Sequence, residues 1–259
     1  MPLKPLEVQE NVAESGPSST LKVSALLALV SVFAFAAAAY FPLANHLSLG
    51  HDIGVAAAVL LVAIYALVFR GLQYHHGRSF GLANGVTAVR AAMVSLIAAA
   101  VFSPASPPTL ENAPWSFVAF VLMALVLDGL DGYLARRSDQ VSELGARFDM
   151  EIDALLILCL SATAFTLGKV GSWVLLIGLM RYVFVVAQVP VPLLAGRLQP
   201  SLRRKIVCVV QVAVLCIILV PFVTAPVSSW LAALALVLLS YSFAVDCIYL
   251  LSEAGGDEQ

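Results

Sequence analysis

Between Asp128 and Asp153 the chain reads DGLDGYLARRSDQVSELGARFDMEID, and long apolar runs flank this segment on both sides. Asp128 and Asp131 are spaced i, i+3, and Asp149 and Asp153 are spaced i, i+4, so each pair shares one face of a helix. Acids this close to hydrocarbon are costly unless they meet positive charge. Two helices presenting paired carboxylates can hold one or two hard divalent cations, Mg2+ or Mn2+, through oxygen ligands. Ions held in this way clamp phosphate-bearing substrates. Gly129 and Gly132 remove side chains beside the acids, so a diphosphate can approach the backbone. Arg136, one turn beyond Gly132, can fork onto a phosphate oxygen. Gly145 permits a turn or a close helix crossing. Asp153, the last acid, is the candidate general base toward a hydroxyl.

The elements that must position these groups are membrane helices. Of the 259 residues 61% are hydrophobic and 12% charged, with a net charge of -2; the mean hydropathy is +0.96. That composition excludes a soluble domain, and no nucleic-acid partner is expected. Cys159, Cys208, Cys216 and Cys247 all fall in apolar runs, as small packing residues rather than disulfide partners or metal ligands.

Eight apolar runs are expected to form spans: Val23–Leu43, Ile53–Gly71, Gly85–Phe102, Trp115–Leu127, Ala154–Leu167, Trp173–Leu194, Ile206–Phe222 and Ser229–Leu251. The fold class is therefore an all-α integral membrane protein with about eight transmembrane helices. Arg70, Arg78, Arg90, Arg136, Arg137, Arg147, Arg197, Arg203, Arg204 and Lys205 fall on one side with Lys4 and Lys22, and Lys169 alone falls opposite. This skew places both termini and the acidic segment in the cytosol. Trp115, Trp173 and Trp230 begin spans on the outer side, where an aromatic belt belongs. Residues 1–20 read as a mobile cytosolic tail and 252–259 as a short acidic one.

The fourth and fifth runs hold 13 and 14 residues, against about 20 for a full crossing. Both helices are expected to continue through the acidic segment. The carboxylates then line a water-filled cavity open to the cytosol, where a soluble headgroup donor and a lipid tail can meet.

Arg181 sits inside the sixth span and is a candidate ligand for an acceptor phosphate or carboxylate, or a structural partner for an acid such as Asp246. Arg203, Arg204 and Lys205 are candidate binders of an acidic acceptor or of anionic lipid heads, or ordinary cytosolic anchors. Asn84 and Thr87 offer amide and hydroxyl groups suited to a nucleotide, or to capping a helix end.

The pattern Asp128-x2-Asp131-Gly132-x2-Ala135-Arg136-x8-Gly145-x3-Asp149-x3-Asp153 resembles the signature of the CDP-alcohol phosphotransferase family, matching all eight fixed positions. Asn84-x2-Thr87-x2-Arg90 is similar to the pattern opening that family's first core helix. Pro200-Ser201 followed by Lys205 and Gln211 is similar to a basic turn between its late helices. The resemblance covers roughly Phe80–Leu251. It implies a six-helix catalytic core at 80–251, preceded at 21–79 by two additional helices and a linker, in a membrane enzyme that is often a homodimer. It implies displacement of CMP from a CDP-linked donor by an alcohol, using divalent metal. Asp128, Asp131 and Asp149 would be metal ligands and Asp153 a ligand or base. Gly132, Ala135 and Arg136 would seat the CDP moiety, with Asn84, Thr87 and Gly145 as further nucleotide contacts.

CDP-diacylglycerol is the expected donor and the bacterial inner membrane the expected location. Many bacterial relatives that make phosphatidylglycerophosphate carry Lys after the last acid, where this chain has Ala154, and the basic turn here reads Leu202-Arg203-Arg204-Lys205. The acceptor alcohol is left open among glycerol 3-phosphate, an inositol phosphate, serine and other small alcohols. Competing readings are a CDP-aminoalcohol enzyme acting on a lipid alcohol, an intramembrane prenyltransferase and an ion-coupled transporter.

Overall fold

The computed structural model describes residues 18–46, 51–74, 80–103, 114–137, 142–196 and 201–256. Among them are eight α-helices and no strand. They are α1 (Ser19–His46), α2 (His51–Arg70), α3 (Leu82–Phe102), α4 (Pro114–Arg137), α5 (Glu143–Thr166), α6 (Leu175–Ala187), α7 (Leu202–Leu219) and α8 (Val227–Gly256). The stretch Ser19–Asn45 and those at Asp52–Gln73, Leu82–Phe102 and Val227–Ser252 are long and apolar enough to cross a membrane.

α4 and α5 each run 24 residues. As expected, they continue without a break from apolar sequence into the acidic segment. The length is about 36 Å, enough for an approximately 30 Å hydrocarbon core with its polar end beyond it.

One expectation is corrected. The sixth run, Trp173–Leu194, is not a single spanning helix. It gives a 3-10 turn at Ser172–Val174, the 13-residue α6, and a second 3-10 turn at Pro192–Ala195. Pro190 and Pro192 lack backbone N–H groups and disfavour helix in the residues before them, so the apolar run outlasts the helix. At the other end of the chain, α8 extends to Gly256, into the sequence expected as a tail. Residues 1–17 and 257–259, and with them Lys4, lie outside the described residues, as do Arg78 and Arg197.

The chain divides into two compact units. The first holds α1, α2, α3 to Ala99, α4 from Met123 and α5 to Ile152, so that its boundary falls one residue before Asp153 within the unbroken α5. Its core includes Ala57, Leu61, Ala88 and Ala91, all fully buried.

The second unit holds the rest of α4 and α5 with α6, α7 and α8. Gly178 of α6 lies against Leu158 of α5, where an added Cβ would meet the Leu158 Cα at 2.5 Å. Small residues give membrane helices this close approach. α5 ends in a Schellman turn: Gly168 takes φ +65, its N–H bonds Phe165 O at 2.9 Å, and Lys169 N–H bonds Ala164 O at 3.1 Å. Lys169, the basic residue expected on the outer side, donates from Nζ to the carbonyls of Ile218 (2.9 Å), Leu219 (3.3 Å) and Val220 (2.6 Å). Its charge caps the end of α7, where the helix dipole favours a cation.

Candidate active site

α3 carries Asn84, Thr87 and Arg90 at i, i+3 and i+6, one stripe along the helix. All three are buried, Arg90 completely. A cation placed there needs acidic partners, and two acids supply them. Arg90 Nη1 donates to Asp128 Oδ1 of α4, and Nη2 donates to Asp149 Oδ1 of α5. Nη2 also reaches the Asp149 carbonyl at 3.3 Å. The planar guanidinium thus ties three helices together through one side chain.

Asp153 follows Asp149 by one turn of the unbroken α5, so its place beside Asp149 is set by the helix itself. One carboxylate oxygen from each of Asp128, Asp149 and Asp153 lies within 4.8 Å of the other two. The three are half-buried, so the cluster keeps access to solvent. Its donors are all carboxylate oxygens, which suits Mg2+ or Mn2+ rather than softer metals. Opposed ligands of Mg2+ stand about 4 Å apart, so the spread fits such an ion. Among the described residues, a Cβ added at Gly129, next to Asp128, would meet nothing within 4 Å.

The first turn of α5 is built for close approach to α3. Ser142 is its N-cap, accepting from the Gly145 N–H at 3.0 Å. Gly145 then lies directly against the Asn84 side-chain oxygen, where a Cβ would collide. Asn84 is held in turn, because Nδ2 donates to Phe80 O at 2.5 Å. The helix-crossing role expected of Gly145 is therefore seen, with Asn84 as the residue it meets. Thr87 Oγ1 donates to Ala83 O at 3.1 Å.

The backbone of Asp131, Gly132, Ala135 and Arg136 is helical within α4, while their side chains lie outside the described residues. Arg181, Arg203, Arg204 and Lys205 belong to the second unit. Arg203 donates to Asp246 Oδ1 at 2.5 Å and to Ser242 O at 2.7 Å. Arg204 donates to the same Asp246 oxygen at 3.2 Å, and Lys205 is exposed. Asp246, suggested above as a partner for Arg181, is engaged by these two arginines. Arg181 is half-buried at the middle of α6.

The sequence places Arg90 in the Asn84-x2-Thr87-x2-Arg90 pattern but does not by itself show its pairing with Asp128 and Asp149. Lying in the cytosolic half of its span, it is indistinguishable in sequence from the other basic residues of that side. The signal was present: a lone arginine in an otherwise apolar helix must find acids, and the acidic segment holds them.

The family model for CDP-alcohol phosphatidyltransferase matches residues 80–241, more than half of the chain. The chain belongs to that family. No curated protein and no solved structure gave a match. The matched region opens at α3 and encloses the whole of the acidic segment and Arg90. Membership makes the chain an integral membrane transferase of lipid synthesis, moving a phosphatidyl-type group from a CDP-alcohol to an alcohol. α1 and α2 lie before the match.

Proposed function

We propose that the chain transfers a phosphatidyl group from CDP-diacylglycerol to a small alcohol, releasing CMP, at a site facing the cytosol of a bacterial inner membrane. The observation that carries this reading is the convergence of Asp128, Asp149 and Asp153 at the polar ends of two long helices. A carboxylate cluster there can serve a water-soluble CDP group while the donor's acyl chains stay in the bilayer. The skew of basic residues toward the same side supports the cytosolic placement.

Asp128, Asp149 and Asp153, with Asp131, would hold Mg2+ or Mn2+. The bound metal would polarise the donor diphosphate and offset negative charge developing toward CMP. The chain's own residues do the rest. Arg90 fixes the Asp128 and Asp149 carboxylates in register. Asp153 accepts the proton of the acceptor hydroxyl. The acceptor oxygen bonds to the lipid-side phosphorus as the bond from that phosphorus to the CMP oxygen breaks. Gly132, Ala135 and Arg136 seat the nucleotide with Asn84, Thr87 and Gly145. Arg181, Arg203, Arg204 and Lys205 receive an acidic acceptor. The enzyme works as a homodimer, by resemblance to its family.

The test is a CMP-release screen of purified protein with CDP-diacylglycerol over glycerol 3-phosphate, inositol phosphate, serine and inositol, with mass analysis of the lipid. Release of CMP with one acceptor and a matching phosphodiester lipid supports the reading. Absence of CMP release with every acceptor, in protein that is folded and metal-loaded, overturns it.

A further inference from the structure

α1 and α2 lie outside the family-matched residues, yet they hold the helix that carries Arg90. Tyr65 Oη of α2 donates to the Ala88 carbonyl at 2.9 Å, and Tyr40 Oη of α1 donates to the Ala92 carbonyl at 2.8 Å. Ser24 Oγ of α1 accepts from the Phe80 N–H at 3.2 Å, just before α3 begins. α3 is therefore tied to the hairpin at three heights. Ala88 and Ala92 bracket Arg90 by two residues on either side, which sets both about 160° around the helix from it. The ties grip the back of the turn whose front reaches Asp128 and Asp149.

Ala88 is fully buried and Ala92 nearly so, and side chains this small let the tyrosines reach main-chain oxygens. Each carbonyl has a second lone pair, so the contacts are compatible with the helix's own bonding. A buried phenol hydroxyl needs such a partner, and the donors could have been satisfied at many places on α3. Both are satisfied within one turn of the residue that clamps the carboxylates.

We propose that Tyr40 and Tyr65 are positioning residues for the metal-binding carboxylates, acting through the depth and rotation of α3 and so through Arg90. The proposal rests on the metal role given above to Asp128 and Asp149. Loss of the hydroxyls lets α3 shift, and the carboxylates lose their common register.

The experiment uses the full chain in detergent, with Tyr40→Phe, Tyr65→Phe and the double variant. Direct Mn2+ binding is read by electron paramagnetic resonance, alongside thermal unfolding and CMP release. The double variant is expected to bind Mn2+ about tenfold more weakly, as loss of outer-shell support does elsewhere. The Mn2+ needed for half-maximal CMP release should rise in step, while the donor KM at saturating Mn2+ stays put. Leu61→Ala, a cavity at a fully buried α2 position, controls for a loosened hairpin and should lower the unfolding temperature without moving Mn2+ affinity. The proposal is overturned if the double variant binds Mn2+ like wild type, or if Leu61→Ala weakens binding as much. If the double variant does not fold, the single variants decide, each being required to shift Mn2+ binding in the same direction. A wild-type chain that binds Mn2+ but releases no CMP sinks the proposed reaction alone. A wild-type chain that binds no Mn2+ overturns both.

Discussion

Gly145 stands against Asn84 with no room for a side chain between them. An added Cβ would also lie 3.0 Å from Ser142 Oγ and 3.5 Å from Asn84 Cγ. Asn84 cannot swing aside freely, because its amide is bonded to Phe80 O. This contact sets how closely the first turn of α5 approaches α3, and so where Asp149 arrives relative to Arg90.

Gly145→Ala should therefore destabilise the protein by about 1–3 kcal/mol, the usual range for overpacking. Adding Asn84→Ala to it should recover part of that loss, since the colliding oxygen is gone. Thermal unfolding of the two single variants and the double variant measures the coupling. Strictly additive losses would contradict the contact.

Arg90 bridges two carboxylates with two separate nitrogens, a geometry that a lysine ammonium does not reproduce. Arg90→Lys should keep the charge yet lose one of the two partners, costing about 1.5–3 kcal/mol for a charged hydrogen bond. It should also cut CMP release per folded molecule, beyond what any loss of folded protein accounts for. A Lys variant with full activity per folded molecule would leave Arg90 a packing residue only.

Lys169 donates to three carbonyls at the end of α7, and its own carbonyl accepts from Ser228 Oγ at 2.5 Å. Lys169→Met should lower stability by about 1–3 kcal/mol, because the carbonyls lose their donor. CMP release per folded molecule should be unchanged. Loss of activity without loss of stability would point to a role that the capping geometry does not explain.

Asp246 holds Arg203 and Arg204 at once, so one acid faces two bases. If these arginines receive an acidic acceptor, Arg204→Gln should raise the KM for a phosphate-bearing acceptor about tenfold, the loss of one charge-assisted contact. The donor KM should stay the same. Equal changes in both constants would mean that the pair only fastens α7 to α8.

Much of this arrangement was legible in the sequence, because its signals are chemical and local. The carboxylate spacing placed Asp149 and Asp153 on one face, and the short apolar runs before Asp128 and after Asp153 required helices that continue through the acids. α4 and α5 do so. α6 was not legible, since hydropathy registers Val189–Leu194 as apolar whether or not Pro190 and Pro192 allow a helix. Arg90 was obscured by its nearness to the cytosolic end, where positive charge is ordinary. The tyrosine ties from α1 and α2 to α3 were beyond sequence reading altogether. A tyrosine in an apolar helix carries no mark of which carbonyl, 23 or 52 residues away, its hydroxyl will reach.

The most direct measurement is metal-dependent CMP release by purified wild type and Asp149→Asn with CDP-diacylglycerol and an accepted alcohol. Wild type should release CMP only when Mg2+ or Mn2+ is supplied. Asp149→Asn, folded to the same unfolding temperature within a few degrees, should fall by about 100-fold or more. Release of CMP by Asp149→Asn at the wild-type rate would contradict the assignment of these carboxylates to the metal and the donor diphosphate.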